Sequence, residues 1–289
     1  MDYLDYHDIQ LVFFTWDVAD AGYCWDDTAR AGDLGKPGEP PFLVESPSTS
    51  SLFPYNPMDK QTLFLQFAET PLTKEGILQF ANVHGKLHPT HDVLVSRPGK
   101  DNVLLRADSL SLWIGEIWYM KTAVQLWEWI KEKNWSALGK IISWDEHKKS
   151  VEYSLPPNGG ASGSRSWGVL ASPQRKPEIF ARCHPGEVLL PARHLLQMWI
   201  NKRLERYPVK PRLLMNAQNA LEGRLIPSSL LSAMWLQFYL ATIGETKYKR
   251  CAVCGHWSDV TGKNRNWTMH PDCANKARVK KWSEKNKKK

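Results

Sequence analysis

Hydrophobic residues recur with a helical period in several parts of the chain. The longest such stretch, 109–133, has a broad apolar face and predicts the longest helix. Thr73 comes just before the periodic stretch 74–87 and is expected to be the N-cap of a second helix. Further helices are predicted near 60–69, 135–143, 191–207 and 227–244. The last of these is apolar almost all round, which is typical of a buried helix.

Other segments predict strands or connections. Residues 9–16 and the end of the segment 143–156 are rich in β-forming side chains and predict strands. Residues 32–57 are dense in Gly, Pro and Ser, so we expect a long connection without a regular core pattern. A Gly- and Ser-rich stretch at 156–168 predicts a flexible break. The expected fold class is α+β, in three parts: a mixed α/β N-terminal domain at 1–157, a mainly helical region at 158–246 and a C-terminal segment at 247–289 that is taken up below.

Composition places the chain among globular proteins. It is 42% hydrophobic and 24% charged, values that are ordinary for such proteins. Its 14 Trp residues, six of them between Trp113 and Trp144, are expected to pack in the core. A stacking platform for bases and a surface for protein partners are the alternatives. No apolar run of membrane-spanning length occurs, and the acidic start MDYLDYHDIQ lacks the basic region of a signal peptide. We therefore expect a cytoplasmic protein that does not contact membranes.

Charge is distributed very unevenly along the chain. Residues 247–289 contain 13 Lys and Arg but only three acidic residues, a net charge of +10. Because the whole chain carries +8, the other 246 residues sum to −2. A near-neutral body with a strongly basic end indicates a polyanionic partner, with nucleic acid first.

The basic end also contains three of the five cysteines. Cys251 and Cys254 form a C-x2-C pair, and the glycine that follows permits the tight turn of a zinc knuckle. His270 and Cys273 follow as H-x2-C, with a proline between them that suits the first position of a helix. Three thiolates and one imidazole make a closed structural zinc set with no open position for a substrate. The sequence thus predicts one structural Zn²⁺, a hairpin around 259–266 and a helix over 271–285. This order of knuckle, hairpin and helix predicts that 247–289 is a treble-clef-like zinc finger with a basic C-terminal helix.

Three other interpretations of the cysteines fit the sequence less well. A redox pair would follow a strand in a βαβ unit, and no such pattern surrounds Cys251. A catalytic zinc site would keep an open coordination position, which a four-ligand set lacks. Unliganded cysteines at this paired spacing would be a coincidence. His256 is a substitute ligand only in principle, because it lies two residues from Cys254.

Residues beside this site are candidates for nucleic-acid contact. Lysines and arginines neutralise phosphates, whereas Asn and Arg side chains also bind base edges. A solvated basic tail without a partner is the alternative. The candidates are Lys263, Arg265, Asn275, Lys276, Arg278, Lys280, Lys281 and Lys285.

Residues 247–282 resemble bacterial CGNR-type zinc fingers. The matching steps are Asp259-Val260-Thr261, Arg265-Asn266-Trp267 and the helix start Cys273-Ala274-Asn275-Lys276-Ala277-Arg278. Thr268 stands where the family usually has a ligand cysteine, so His270 takes the place of that ligand, and Ala274 and Lys276 replace Gly and Arg of the signature. The resemblance implies a transcriptional regulator. It does not extend to the helical ligand-sensing domain of that family, which residues 1–190 do not match.

The expected function is therefore nucleic-acid binding by a zinc finger, DNA more than RNA, in a non-enzymatic transcriptional regulator. In that hypothesis the body binds a ligand or a protein partner. The alternative is a nucleic-acid-clamping subunit of a larger nucleoprotein or defence complex. No G-x-S-x-G, H-E-x-x-H or phosphate-binding loop pattern favours an enzyme.

Overall fold

A computed structural model describes residues 14–28, 30–31, 40–88, 91–95, 103–147, 149–157, 167–215, 218–244, 246–263 and 267–286. Within these ranges the fold is α+β, as predicted. The helices are α1 Leu63–Ala68, α2 Lys74–His84, α3 Leu110–Glu132, α4 Trp135–Gly139, α5 Pro177–Phe180, α6 Leu189–Arg206, α7 Leu230–Ile243 and α8 Pro271–Asn286, with a 3₁₀ turn at Pro57–Asp59. The strands are β1 Trp16–Ala19, β2 Tyr23–Asp26, β3 Arg30–Ala31, β4 Phe42–Glu45, β5 Leu52–Tyr55, β6 His91–Val95, β7 Val103–Ser109, β8 Ile142–Asp145, β9 Ser150–Ser154, β10 Trp167–Ala171, β11 Val209–Met215, β12 Leu221–Pro227, β13 Tyr248–Arg250 and β14 Trp257–Asp259.

The described strands form small antiparallel sheets. The largest has five strands in the order β2-β4-β7-β6-β3, and a three-stranded sheet has the order β10-β9-β8. The pairs β1-β5, β11-β12 and β13-β14 are two-stranded. The pair β13-β14 belongs to the cysteine-rich end, and it carries the candidate site described below.

The segment 32–57 is more regular than predicted. It contains β4, whose Phe42, Leu43 and Val44 are buried, and β5. Strand β4 lies between β2 and β7 in the five-stranded sheet. The expectation of an irregular connection is wrong for this part, because a short continuous apolar run gives a fully buried strand no alternating pattern to detect. Residues 32–39 lie outside the described residues.

Side-chain caps begin three of the predicted helices. Thr73 accepts a hydrogen bond from the Gly76 N–H at the start of α2, and Ser109 accepts one from Leu112 at the start of α3. Ser229 accepts one from Ser232 at the start of α7. Helix α4 ends earlier than predicted, at Gly139, and after a two-residue turn β8 begins at Ile142. Among the described helices, none combines the length and apolar character needed to cross a bilayer.

The remaining predicted elements have mixed outcomes. The strand expected near 143–156 is β9, and its partner β8 precedes it. The strand expected at 9–16 falls mostly outside the described residues, which start at residue 14. The first described strand, β1, begins at Trp16. The break at 156–168 falls largely outside it as well, so the boundary placed after 157 stays a prediction.

The main core surrounds α3. Helices α1 and α6 pack against α3, and α7 packs against α1 and α6. Trp113 of α3 and Trp235 of α7 are fully buried in this core, as expected for aromatic packing. Glu116 of α3 is also buried, and it accepts hydrogen bonds from Arg203 at 2.6 Å and from the Tyr207 hydroxyl at 2.9 Å. The ion pair between Glu116 and Arg203, together with the apolar contacts, joins α6 to α3.

Candidate metal centre and adjoining basic helix

The C-x2-C pair forms the turn that joins β13 to β14. Arg250 lies opposite Trp257 in the register, so Cys251 begins the connection. The Cys251 N–H donates to the His256 carbonyl at 2.9 Å, and the Gly255 N–H donates to the Cys251 carbonyl at 2.9 Å. Gly255 has a φ of +72°, a conformation that favours glycine. The turn is the predicted knuckle, and a hairpin holds it.

The β13–β14 hairpin is additional to the one that the sequence predicts, which falls partly on residues 264–266, outside the described residues, and stays a prediction. The prediction put a hairpin around 259–266, after the knuckle, whereas β13 and β14 flank the knuckle itself. Within the described part of 259–266, the chain makes a turn in which the Lys263 N–H donates to the Val260 carbonyl at 3.0 Å. The three-residue strands are too short for their apolar pattern to be detected in the sequence.

The second ligand pair lies at the start of α8. His270 precedes Pro271, the first residue of the helix, and Cys273 is in the first turn. The Ala274 N–H donates to the His270 carbonyl at 2.9 Å, which fixes the histidine to the helix end. The Ala252 N–H donates to the Thr268 carbonyl at 2.8 Å, so the knuckle and the segment before the helix are held side by side.

These elements bring the four predicted ligands together. The ligand atoms of Cys251, Cys254, His270 and Cys273 all lie within 4.8 Å of one another, so the group can hold one metal ion. The Cys254 sulfur is 3.4 Å from His270 Nδ1. In a tetrahedral zinc site, bond lengths place S and N ligands about 3.6 Å apart and two S ligands about 3.8 Å apart. The residues present therefore fit a four-coordinate ion, and His256 is not among them.

A serine orients the histidine ligand. Ser258 of β14 places its Oγ 2.5 Å from His270 Nε2, on the side of the ring opposite the cysteines. When Nδ1 binds a metal, Nε2 carries the proton and donates it to the serine oxygen. The Trp267 ring also stands edge-on to the imidazole, with centroids 5.5 Å apart. Sequence reasoning missed Ser258, because a serine in a strand carries no signal of this role.

Proton binding by the cysteines shows why the cluster suits a cation. Burial raises the pKa of Cys251, but hydrogen bonds from the backbone N–H groups of Cys254, His270 and Val253 outweigh this effect and lower the pKa to about 5. Desolvation raises the pKa of Cys273 to about 11, and the neighbouring Cys251 and Cys254 contribute to that rise. Like charges this close resist ionising together. A divalent cation offsets the repulsion and binds all three sulfurs as thiolates.

The finger, residues 247–286, is attached to the body at its first strand. The Tyr248 ring packs against the rings of Phe64 and Trp127, with centroids 5.6 and 6.4 Å apart. On the surface, Glu69 at the end of α1 forms an ion pair with Arg250. Its carboxylate also accepts a hydrogen bond from the Trp257 indole at 2.9 Å. Nothing in the sequence indicates this role of Glu69, which is 181 positions from Arg250.

Most described side chains of the basic helix are exposed. Asn275, Lys276 and Arg278 of α8 are exposed, and so is Lys263 in the turn after β14. The Lys263 ammonium lies 5.9 Å from the centre of the Trp267 ring. Arg265 lies outside the described residues. The backbones of Lys280, Lys281 and Lys285 continue α8, and their side chains are outside the described part.

The site can thus bind one metal ion and present a basic helix beside it. Comparison of the chain with protein-family models, curated proteins and solved structures gave no match. The resemblance to CGNR-type fingers accordingly stays a prediction that rests on the sequence motifs alone.

Proposed function

We propose that this chain is a zinc-finger protein that binds nucleic acid and acts in transcriptional regulation rather than catalysis. Three cysteines and a histidine in a closed set are typical of structural zinc, which leaves no site for a substrate on the metal. The observation that carries the proposal is that Lys276 and Arg278 are exposed on α8, whose first turn contains Cys273 of the cluster that can hold a metal ion.

The metal's role in this proposal is to position the helix. With His270 and Cys273 as ligands, the N-terminal turn of α8 is fixed against the knuckle. Lys276 and Arg278 are exposed beyond that turn, where they can contact phosphates. Asn275 and Arg278 have the side-chain chemistry to bind base edges in the major groove. The resemblance to CGNR-type fingers favours DNA over RNA.

Binding of the full chain to a labelled DNA duplex, measured by fluorescence anisotropy over a range of salt concentrations, tests the proposal. We expect binding to weaken steeply with salt because counterions are released from the phosphates. Lys276→Gln and Arg278→Gln are each expected to weaken binding and to reduce the salt slope by about 1. Lys202→Gln, at an exposed lysine of α6 and not of the finger, is the matched control.

Three outcomes would overturn parts of this proposal. If DNA binding does not weaken as the salt concentration rises, or if the α8 variants do not weaken it, then the basic helix is not the interface. A metal content well below one zinc per chain excludes the zinc assignment. Tighter binding to RNA of the same sequence than to DNA excludes the DNA preference.

One observation favours a second candidate, a nucleic-acid-clamping subunit of a larger nucleoprotein complex. The hairpin β11-β12 exposes large apolar side chains: Leu213, Met215 and Leu221 are each about 65% exposed. Apolar residues grouped in this way often mark a protein interface. Purification of the tagged chain from its native cell distinguishes the two, since stoichiometric protein subunits support the complex and their absence supports the regulator.

A further inference from the structure

A cavity of about 570 Å³ opens between α3, α6 and α7, next to the first residue of the finger. This volume is within the range of small-molecule sites. The floor is apolar: Trp127 and Ile130 come from α3, and Leu196 and Ile200 come from α6. All four residues are largely buried yet line the cavity. The floor therefore suits the apolar part of a ligand.

The rim of the cavity carries charge of one sign. Lys131 and Lys133 stand at the end of α3, Arg193 on α6, and Lys247 at the start of the finger. No carboxylate lines the cavity among the residues that the structure describes. Cations grouped around a concave surface with apolar walls raise the local concentration of anions. The rim therefore suits an acidic head group.

One of the four cations already has a structural role. The Lys131 ammonium donates to the Thr246 carbonyl at 2.9 Å and lies 4.1 Å from the centre of the Trp127 ring. Glu128 and Glu132 lie near it but line a smaller, separate cavity of about 130 Å³. Lys133, Arg193 and Lys247 are exposed, so their side chains can reach a ligand at the mouth.

We infer that this cavity binds a small amphipathic anion, with its apolar body on the α3–α6 floor and its carboxylate or phosphate at the cationic rim. The apolar floor suits the apolar part of such a ligand, and the cationic rim suits its charged head group. A neutral apolar molecule leaves the rim charges unused, and a small inorganic anion leaves the floor in contact with water. This site is separate from the metal centre and does not depend on the finger's partner.

Binding can be measured with chemical probes on the full, metal-loaded chain. The fluorescent dye 1-anilinonaphthalene-8-sulfonate has an aromatic body and one sulfonate, so it serves as the reporter. Decanoate, kept below its micelle concentration, is expected to displace the dye. Raising the salt concentration is expected to weaken decanoate binding. Decyltrimethylammonium has a chain of the same length with a positive head and is expected to displace the dye at least about tenfold less well.

Variants locate the site without disturbing the core. Arg193→Gln and Lys133→Asn remove rim charges, and asparagine tolerates the positive φ of 52° at residue 133. Each is expected to weaken decanoate binding about two- to fivefold, the range for exposed charges. Ile243→Glu adds a carboxylate where a half-exposed residue lines the cavity, and it is expected to weaken decanoate further when combined with the other two. Lys202→Gln on α6, which does not line this cavity, is the control.

Two results would overturn the inference. Equal displacement by decanoate and decyltrimethylammonium would show that the rim does not select an anion. Decanoate binding that the three variants leave unchanged, or no displacement up to millimolar decanoate, would show that the cavity is not the site. The folded state of each variant is checked by its unfolding temperature, which these surface changes are expected to leave nearly unchanged.

Discussion

The body and the finger of this protein are stabilised in different ways. Around α3 the body buries large side chains completely, with Trp113 and Trp235 at 0% exposure. In the finger, the described residues that are buried are Cys251 and Val260. A segment of about 40 residues with so little apolar burial usually needs a metal or disulfides to fold. The comparison teaches that apolar packing holds the body, whereas the finger has little apolar core and instead has a cluster that can hold a metal ion.

The largest expected effect comes from removing a ligand. Cys251→Ser is expected to abolish metal binding and unfold residues 247–286 while the body stays folded, because structural zinc contributes about 10–16 kcal/mol to small zinc-binding segments. Metal analysis and hydrogen exchange by mass spectrometry are the measurements. The finger's amides should lose protection, and those of α3 and α7 should keep it.

Cys24→Ser, at a half-buried cysteine far from the cluster, is the matched control and should retain the metal. If the amides of the finger stay protected from hydrogen exchange after the metal is lost, then the metal is not what stabilises the finger, and the contrast with the body fails.

The next largest effect is expected from a substitution in the core of the body. Trp113→Ala is expected to lower the free energy of unfolding by about 3–5 kcal/mol, because it removes a fully buried indole and leaves a cavity. Urea unfolding measures this, and the metal content should stay at the wild-type level. Trp135→Ala, at a tryptophan 54% exposed, is the control, and it should change stability by no more than about 0.5 kcal/mol.

An intermediate effect is expected at the serine that orients His270. Ser258→Ala removes the acceptor of the imidazole N–H and should weaken metal affinity by about 10- to 100-fold, as for other groups that orient metal ligands. Competition with a chelator gives the affinity. Ser258→Thr keeps the hydroxyl and is expected to retain most of the metal affinity. Equal metal affinities for the two variants would show that the serine does not act through the His270 ring.

The smallest effect is expected where the two regions meet. Glu69→Gln removes the ion pair with Arg250, and an exposed pair is worth about 1 kcal/mol or less. Hydrogen exchange of β13 and β14 in the metal-loaded chain is expected to rise slightly, with no change in metal content. Glu146→Gln, at an exposed acid in a turn, should have no such effect. A loss of several kcal/mol at Glu69 would show that the body, and not the metal, holds the finger.

Local patterns explain which features could be predicted from the sequence. The cap at Thr73, the helical periods of α3 and α7, and the ligand spacing around Cys251 act within a few residues, so the sequence displays them directly. The buried strand β4 was missed because its environment comes from β2 and β7, which lie elsewhere in the sequence.

Features that depend on distant partners could not be predicted. Glu69 reaches Arg250 and Trp257 only because α1 packs near the start of the finger. The cavity between α3, α6 and α7 likewise depends on how three separate helices pack. Periodicity gives the apolar face of each helix but not the space left between them.

The four ligands of the metal centre are unequally covered. Cys251 is buried, His270 and Cys273 are half-buried, and Cys254 is exposed. A competing thiol, a chelator or a peroxide therefore meets the Cys254 sulfur first and Cys251 last. The lifetime of an ion held at this site would therefore be governed by its most accessible ligand, and exchange of the ion would begin at that sulfur.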